Sequence, residues 1–126
     1  MSDEQDRINS ESDDAGALAG QPESERTLLI VDDDEPLCQR LARAMERRGF
    51  VVQTAESVAA GTRLASERPP AFAVVDLRLG DGSGLEVVKV IRQSRPAARI
   101  VMLTGYGNIA TAVAAVKAGA VDYLPK

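Results

Sequence analysis

Acidic side chains directly follow two short apolar runs of this chain, and their placement indicates a reactive site. Asp76 ends the run AFAVVD and is followed within four positions by a glycine-rich loop, whereas Asp32 and Asp33 follow the run TLLIV. Apolar runs of this length are typical of buried strands in a parallel sheet. Because ligands of such sheets bind at the carboxyl ends of the strands, we expect these three carboxylates to share one pocket.

Two further polar groups are predicted to lie at the same edge of the sheet. Thr104 follows the run RIVML, and Lys126 follows VDYLP. Carboxylates that are packed together repel one another unless a cation lies between them, and a hard, oxygen-preferring cation such as Mg²⁺ suits them. A metal ion, a carboxylate nucleophile and an ammonium group together serve phosphoryl transfer. The set therefore predicts a magnesium-dependent phosphoryl-transfer site.

Other acids near strand ends are interpreted as ordinary solvated loop residues. Asp34, Asp81 and Asp122 fall into this class, because polar loops commonly carry acids. Any one acid at a strand end would be weak evidence of a site. The signal is the combination of the Asp32 and Asp33 pair with Asp76 and Lys126.

The elements that would position these residues alternate between strands and helices. Strands are predicted at residues 27–31, 50–54, 71–76, 99–103 and 121–124. Helices are predicted from Pro36 to a glycine stop at Gly49, from an N-cap at Ser57 to Glu67, over residues 85–93, and over residues 108–118. Repeated strand–helix units predict an α/β fold, a parallel sheet with helices on both faces. Five strands but four helices are found, so the last unit lacks its helix.

Composition narrows the class of protein. The 126 residues suffice for one domain, and with 44% apolar but only 3% aromatic residues the core must be built from Val, Leu, Ile and Ala. The absence of His excludes His-ligated metals, Ser-His triads and a phosphohistidine within this chain. A single Cys excludes an intramolecular disulfide, and Cys38 is expected in the core. No segment of the sequence resembles a signal peptide or an 18-residue apolar span. We therefore expect a protein that is located in the cytoplasm and has no membrane partner.

Charge divides the chain into two parts. Residues 1–25 contain eight Asp and Glu and one Arg, a net charge of −7, whereas residues 26–126 have a net charge of +3. The first part is nearly devoid of large apolar groups, so we expect a disordered acidic tail. Docking of this tail on a basic partner is an open alternative.

Four motifs surround the predicted site residues: LLIVDDDE, VVDLRLGDGSGLEVV, VMLTGYG and GAVDYLPK. Through these motifs the chain resembles, over residues 26–126, the receiver domain of two-component response regulators. More narrowly, DLRLGDGSG, MLTGYGNIATAVAAVKAGAVDYLPK and VDDDEPL resemble the PrrA/RegA/ActR group of redox-responsive transcription regulators. The resemblance implies a flavodoxin-like, doubly wound five-stranded parallel sheet of order 2-1-3-4-5, with the last helix missing here. It also implies a C-terminal helix-turn-helix DNA-binding domain that is expected in the full-length protein and absent from this chain.

The resemblance also implies roles for the site residues. Asp76 would accept the phosphoryl group. Asp33, Asp76 and the backbone carbonyl of Arg78 would bind Mg²⁺, and Asp32 would act through a water molecule. Thr104 and Lys126 would contact phosphoryl oxygens. Thr104 would also form the conformational switch with Tyr123.

Two glycines follow Asp76 at positions where the family has a characteristic residue. Gly84 matches the family's glycine eight residues after the phosphoacceptor, whereas Gly80 stands where many receivers carry Pro. The first agrees with the family pattern, and the second departs from it at the loop that follows the phosphoacceptor.

The implied function is a signalling switch. A sensor histidine kinase would donate the phosphoryl group, and the receiver would control a transcription-regulating output domain. A homodimer through the face of the fourth helix and fifth strand is also implied, and DNA would be bound only through the missing domain. Such a protein is not an enzyme, apart from catalysing its own phosphorylation and dephosphorylation.

Two other classes of function are open. One is a magnesium-dependent phosphohydrolase with an aspartyl-phosphate intermediate. The sequence VDDDE fails the fifth position of the DxDx[TV] motif of haloacid-dehalogenase-type enzymes, and no substrate-binding cap is present. The other is a degenerate receiver that serves only as an interaction module. The complete set of site residues argues against it.

Overall fold

Five parallel strands form one sheet, which the computed structural model describes together with three helices. The described residues are 20–104, 113, 117, 119 and 122–125. The strands are β1 (Thr27–Val31), β2 (Val51–Ala55), β3 (Phe72–Asp76), β4 (Arg99–Thr104) and β5 (Asp122–Pro125). The helices are α1 (Glu35–Arg47), α2 (Val58–Glu67) and α3 (Gly84–Ser94), and a hairpin of Arg78–Leu79 with Gly82–Ser83 precedes α3. The sheet order is β2-β1-β3-β4-β5, as expected for a flavodoxin-like fold.

Side chains of the strands alternate between two apolar layers. Leu29 and Val31 of β1 belong to the cluster that packs against α2 and α3, whereas Leu28 and Ile30 belong to the cluster that packs against α1. This alternation is the period-two pattern of a strand covered on both faces. Among the described residues, helices thus cover both faces of the sheet, which confirms the doubly wound arrangement.

Side-chain caps define where the helices begin. Asp34 accepts the N–H of Leu37 at 3.1 Å at the start of α1, and Ser83 accepts the N–H of Leu85 at 3.1 Å at the start of α3. Ser57 accepts the N–H of Ala60 at 3.0 Å, which confirms the predicted N-cap of α2. Each cap satisfies one N–H group that the first helical turn leaves without an intrahelical partner.

The second strand begins one residue later than predicted. Phe50 does not join the ladder, because its N–H donates to the carbonyl of Met45 at 3.1 Å and so closes the end of α1. Gly49 at this turn has φ of 100°, a conformation that glycine adopts without a Cβ penalty. Phe50 packs instead edge-on against Phe72, with ring centroids 5.2 Å apart.

The predicted tail of residues 1–25 lies largely outside the described residues. Residues 1–19 fall there, so the expectation of disorder stays a prediction for them. Glu23–Glu25 form a turn of 3-10 helix, and Arg95 holds this turn by donating to the Ser24 carbonyl and the Glu25 carboxylate at 2.9 and 2.8 Å. Glu23–Glu25 are therefore bonded to the folded domain.

No helix in the described part of the chain is long and apolar enough to cross a membrane. The predicted fourth helix, residues 108–118, lies mostly outside the described residues.

Cys38 lies in the α1-side core, as predicted. It is 2% exposed, and its Sγ donates to the carbonyl of Asp32 at 3.4 Å. Burial raises the pKa of the thiol to about 11, and the nearby negative charge of Asp32 adds to the shift. A thiol pKa raised by folding stabilises the folded state below the ordinary value of 9.0, and this contribution is lost as the pH rises toward 11.

We expect Cys38 to react slowly with an aromatic disulfide reagent at pH 8 in the folded protein, because thiolate is scarce and access is blocked. Denaturation in urea should restore ordinary reactivity. The matched control is Gln39→Cys in a Cys38→Ala background, which places a thiol at the adjacent exposed position. Cys38 should react at least about 100-fold more slowly than this control. Equal rates would show that α1 does not cover the thiol.

Candidate functional site

Three carboxylates converge at the carboxyl edge of the sheet. Val31 of β1 pairs with Val75 of β3 in parallel register, so the next residue of each strand, Asp32 and Asp76, reaches the edge at the same level. Asp33 follows directly. Carboxylate oxygens of the three aspartates lie within 4.8 Å of one another. The structure thus brings together the three acids that the sequence placed in one pocket.

The three aspartates differ in exposure. Asp32 and Asp76 are buried, at 1% and 4% exposed, whereas Asp33 is exposed. Backbone donors orient the buried pair: the N–H of Asp34 donates to Oδ1 of Asp32 at 2.8 Å, and that of Arg78 donates to Oδ1 of Asp76 at 3.3 Å. The carboxylate pocket therefore opens to solvent at Asp33.

Hard cations fit this donor set. Mg²⁺ and Ca²⁺ prefer oxygen ligands, and carboxylates that converge within 4.8 Å can share one ion between them. A shared cation also offsets the repulsion among the three negative charges. The side chains present fit a divalent metal.

The loop after Asp76 returns close to that residue. The N–H of Leu77 donates to the carbonyl of Leu103 at 2.9 Å, and the N–H of Gly84 donates to the carbonyl of Leu77 at 2.8 Å. A Cβ added at Gly84 would lie 2.0 Å from the backbone oxygen of Asp76 and 2.8 Å from Cγ1 of Val75. The start of α3 therefore contacts the β3 backbone at a distance that only glycine permits. Sequence alone identified Gly84 only by resemblance, and the structure supplies the physical reason.

Asp81, at the tip of the hairpin, bonds to a different helix. Its Oδ1 accepts the N–H of Val58 at 2.8 Å, and its Oδ2 accepts that of Ala59 at 3.1 Å. These bonds lower the pKa of the carboxyl below its ordinary value of 3.8. The resulting stabilisation is present above that value and is lost as the pH falls below it. Asp81 is exposed and lies outside the carboxylate cluster, as predicted for a loop acid. Its contact with α2 was not predicted, because it joins residues 23 positions apart and leaves no local signal in the sequence.

The remaining predicted residues lie at the boundary of the described part. Thr104 ends β4, and its Cα pairs with that of Pro125 in β5, while Asp76 pairs with Leu103. The backbone of Thr104 thus lies one residue beyond the level of Asp76. Lys126 and the side chains of Thr104 and Tyr123 lie outside the described residues, and their roles stay predictions.

Comparison with known proteins identifies the family. Residues 28–126 match the model of the response regulator receiver domain. The chain belongs to this family. It is 68% identical over 103 residues to the photosynthetic apparatus regulatory protein RegA of Cereibacter sphaeroides, covering 82% of this chain and 56% of RegA. It is 64% identical over 102 residues to the acid tolerance regulatory protein ActR of Sinorhizobium medicae, covering 81% of this chain and 53% of ActR. The chain thus spans little more than half the length of these relatives.

A solved receiver structure supports the same fold. A response regulator from Burkholderia pseudomallei, crystallised with a phosphorylated aspartic acid, a calcium ion and citrate, superposes with a TM-score of 0.76 at 44% identity. The match covers 80% of this chain and 59% of that chain. The resemblance to receivers, the narrower similarity to the RegA and ActR regulators and the fold class are confirmed. Receiver domains bind divalent ions at their acidic pocket, and they accept phosphate from histidine kinases.

We expect Gly84→Ala to lower the free energy of unfolding by about 1–3 kcal/mol, because the added methyl group forces the β3 backbone and α3 apart. Urea denaturation followed by circular dichroism measures this. The control is Gly80→Ala in the same loop, where no atom lies within 4 Å of the added Cβ and stability should not fall. Equal stability of the two variants would contradict the close contact.

Proposed function

We propose that Asp76 of this receiver accepts a phosphoryl group from the phosphohistidine of a sensor kinase. The convergence of Asp32, Asp33 and Asp76 within 4.8 Å supports this assignment. An oxygen of the Asp76 carboxylate forms a bond to phosphorus, the nitrogen–phosphorus bond of the donor breaks, and its electron pair returns to the donor imidazole. The N–H of Arg78 orients the Asp76 carboxylate. Burial of Asp76 limits access of water to the aspartyl phosphate that forms.

We assign the metal site to Asp33 and Asp76 as direct ligands, with the backbone carbonyl of Arg78 as a third ligand and Asp32 acting through water. Mg²⁺ is the proposed ion, because it takes a few protein oxygens and keeps several waters. When bound, it neutralises charge on the phosphoryl oxygens. Asp34 supports this set by fixing Asp32 through its backbone N–H, at 2.8 Å.

The remaining roles follow the family pattern. The hydroxyl of Thr104 donates a hydrogen bond to one phosphoryl oxygen, and the ammonium group of Lys126 pairs with another. Movement of Thr104 then permits Tyr123 to turn. This shifts the conformational equilibrium of the face formed by the fourth helix and β5, which is the proposed homodimer surface. Shifting such an equilibrium from 1:99 to 99:1 requires about 5.5 kcal/mol.

The output is proposed to be transcriptional. The RegA and ActR relatives are regulatory proteins nearly twice as long as the aligned region, so a C-terminal helix-turn-helix domain would bind DNA in the full-length protein. We infer a cytoplasmic protein whose catalysis is limited to its own phosphorylation and dephosphorylation. No feature of the described residues favours hydrolysis of small phosphate esters.

Asp76→Asn should abolish covalent labelling by acetyl phosphate in the presence of Mg²⁺, because the amide cannot act as the nucleophile. Intact-mass spectrometry under mild conditions measures the label. Asp34→Asn is the matched control, because it changes an acid at the same edge while keeping an N-cap oxygen for α1. Labelling of Asp76→Asn at the level of wild type would overturn the assignment.

Asp33→Asn should weaken binding of Mn²⁺, a paramagnetic substitute for Mg²⁺, by at least about tenfold, because a direct carboxylate ligand is lost. Electron paramagnetic resonance of unbound Mn²⁺ gives the affinity. Glu35→Gln serves as the control, since it removes an exposed charge two residues away, outside the cluster. An equal loss in both variants would indicate long-range charge rather than ligation.

A further inference from the structure

The hairpin that follows Asp76 has little to hold it on its own. Its two strands contain two residues each, pairing Arg78 with Ser83 and Leu79 with Gly82. Two-stranded hairpins are marginal in water even when they are longer. Leu79 anchors the inner side, since its side chain is 8% exposed within the core. The tip needs a separate attachment if the hairpin is to hold one position.

Asp81 provides this attachment at the tip. Gly80 and Gly82 flank it, and both lack a side chain that could restrict the backbone. The carboxylate accepts the first two N–H groups of α2, those of Val58 and Ala59, at 2.8 and 3.1 Å. Acceptance by both oxygens fixes the orientation of the carboxylate as well as its distance from the helix. The hairpin tip is thereby tied to a helix that packs on the sheet.

The start of α2 has a cap of its own besides Asp81. The hydroxyl of Ser57 accepts the N–H of Ala60 at 3.0 Å. The negative charge of Asp81 is also favourable at the helix N-terminus. Two side chains thus serve one helix end, but only Asp81 belongs to the hairpin that carries Arg78. This difference separates the stability of α2 from the position of the hairpin.

We propose that Asp81 is a positioning residue of the metal site: by tying the hairpin to α2, it holds the backbone of Arg78 in place beside Asp76. This inference rests on the proposed function, in which the Arg78 carbonyl binds the metal. Asp32, Asp33 and Asp76 lie on or next to the strands, outside the hairpin, and do not depend on Asp81. Loss of Asp81 therefore affects metal affinity more than the chemistry at saturating metal.

The test compares the protein with Asp81→Ala, Asp81→Asn and Ser57→Ala. The rate of labelling by acetyl phosphate is measured over a range of Mg²⁺ concentrations, and Mn²⁺ affinity is measured by electron paramagnetic resonance. In Asp81→Ala, the Mg²⁺ concentration for half-maximal rate should rise about tenfold, while the rate at saturating Mg²⁺ should change less than about twofold. Asp81→Asn, which keeps one oxygen acceptor, should give an intermediate shift.

Ser57→Ala is the matched control, because it removes the other cap of α2 without touching the hairpin. It should lower thermal stability while leaving the Mg²⁺ dependence at the wild-type value. An equal Mg²⁺ shift in Ser57→Ala, or wild-type Mg²⁺ dependence in Asp81→Ala, would overturn the positioning role. A wild-type chain that neither binds Mn²⁺ nor accepts label would overturn the proposed function itself, a result distinct from failure of the Asp81 variants.

Discussion

Repulsion among three carboxylates within 4.8 Å is the constraint on which the carboxyl edge of this sheet depends. Two of the three are buried, where a negative charge loses most of its hydration. The backbone N–H groups of Asp34 and Arg78 donate hydrogen bonds to these two carboxylates. A divalent cation bound at this cluster would offset the remaining repulsion, and a ligand that binds only the folded state at 100 times its Kd stabilises that state by about 2.7 kcal/mol. Metal binding at this edge would therefore also stabilise the fold.

Close packing behind the edge keeps the carboxylates in register. A Cβ added at Gly61 of α2 would lie 3.1 Å from Cγ2 of Val87 and 3.2 Å from Val31, the residue directly before Asp32. Gly84 of α3 makes a still closer contact with the backbone of Asp76. Both helices thus approach the sheet at glycines next to the strand ends that carry the acids. Because packed cores resist compression, the positions of these two carboxylates depend on how closely α2 and α3 pack.

Most of the fold could be predicted, because its information is local. Five apolar runs and the helical periodicities between them identified the strands and helices, and the parallel arrangement then placed Asp32, Asp33 and Asp76 at one edge. The departures from prediction arose where a contact between two different elements decides the structure. Phe50 does not belong to the second strand, because its N–H donates to the carbonyl of Met45 in α1. The role of Asp81 depends on Val58, 23 residues earlier, and no pattern within a single element reports such a pair.

Helix α3 connects the site to the segment before β5 without passing through the sheet. Its first residue, Gly84, contacts the backbone of Asp76, and Arg92 in its last turn donates from Nε to the carbonyl of Gly119 at 2.7 Å. Gly119 has φ of 105°, a backbone conformation that favours glycine, and a Cβ there would lie 2.6 Å from Nε of Arg92. Helix α3 therefore contacts the backbone of Asp76 at its first residue and the backbone of Gly119 from its last turn.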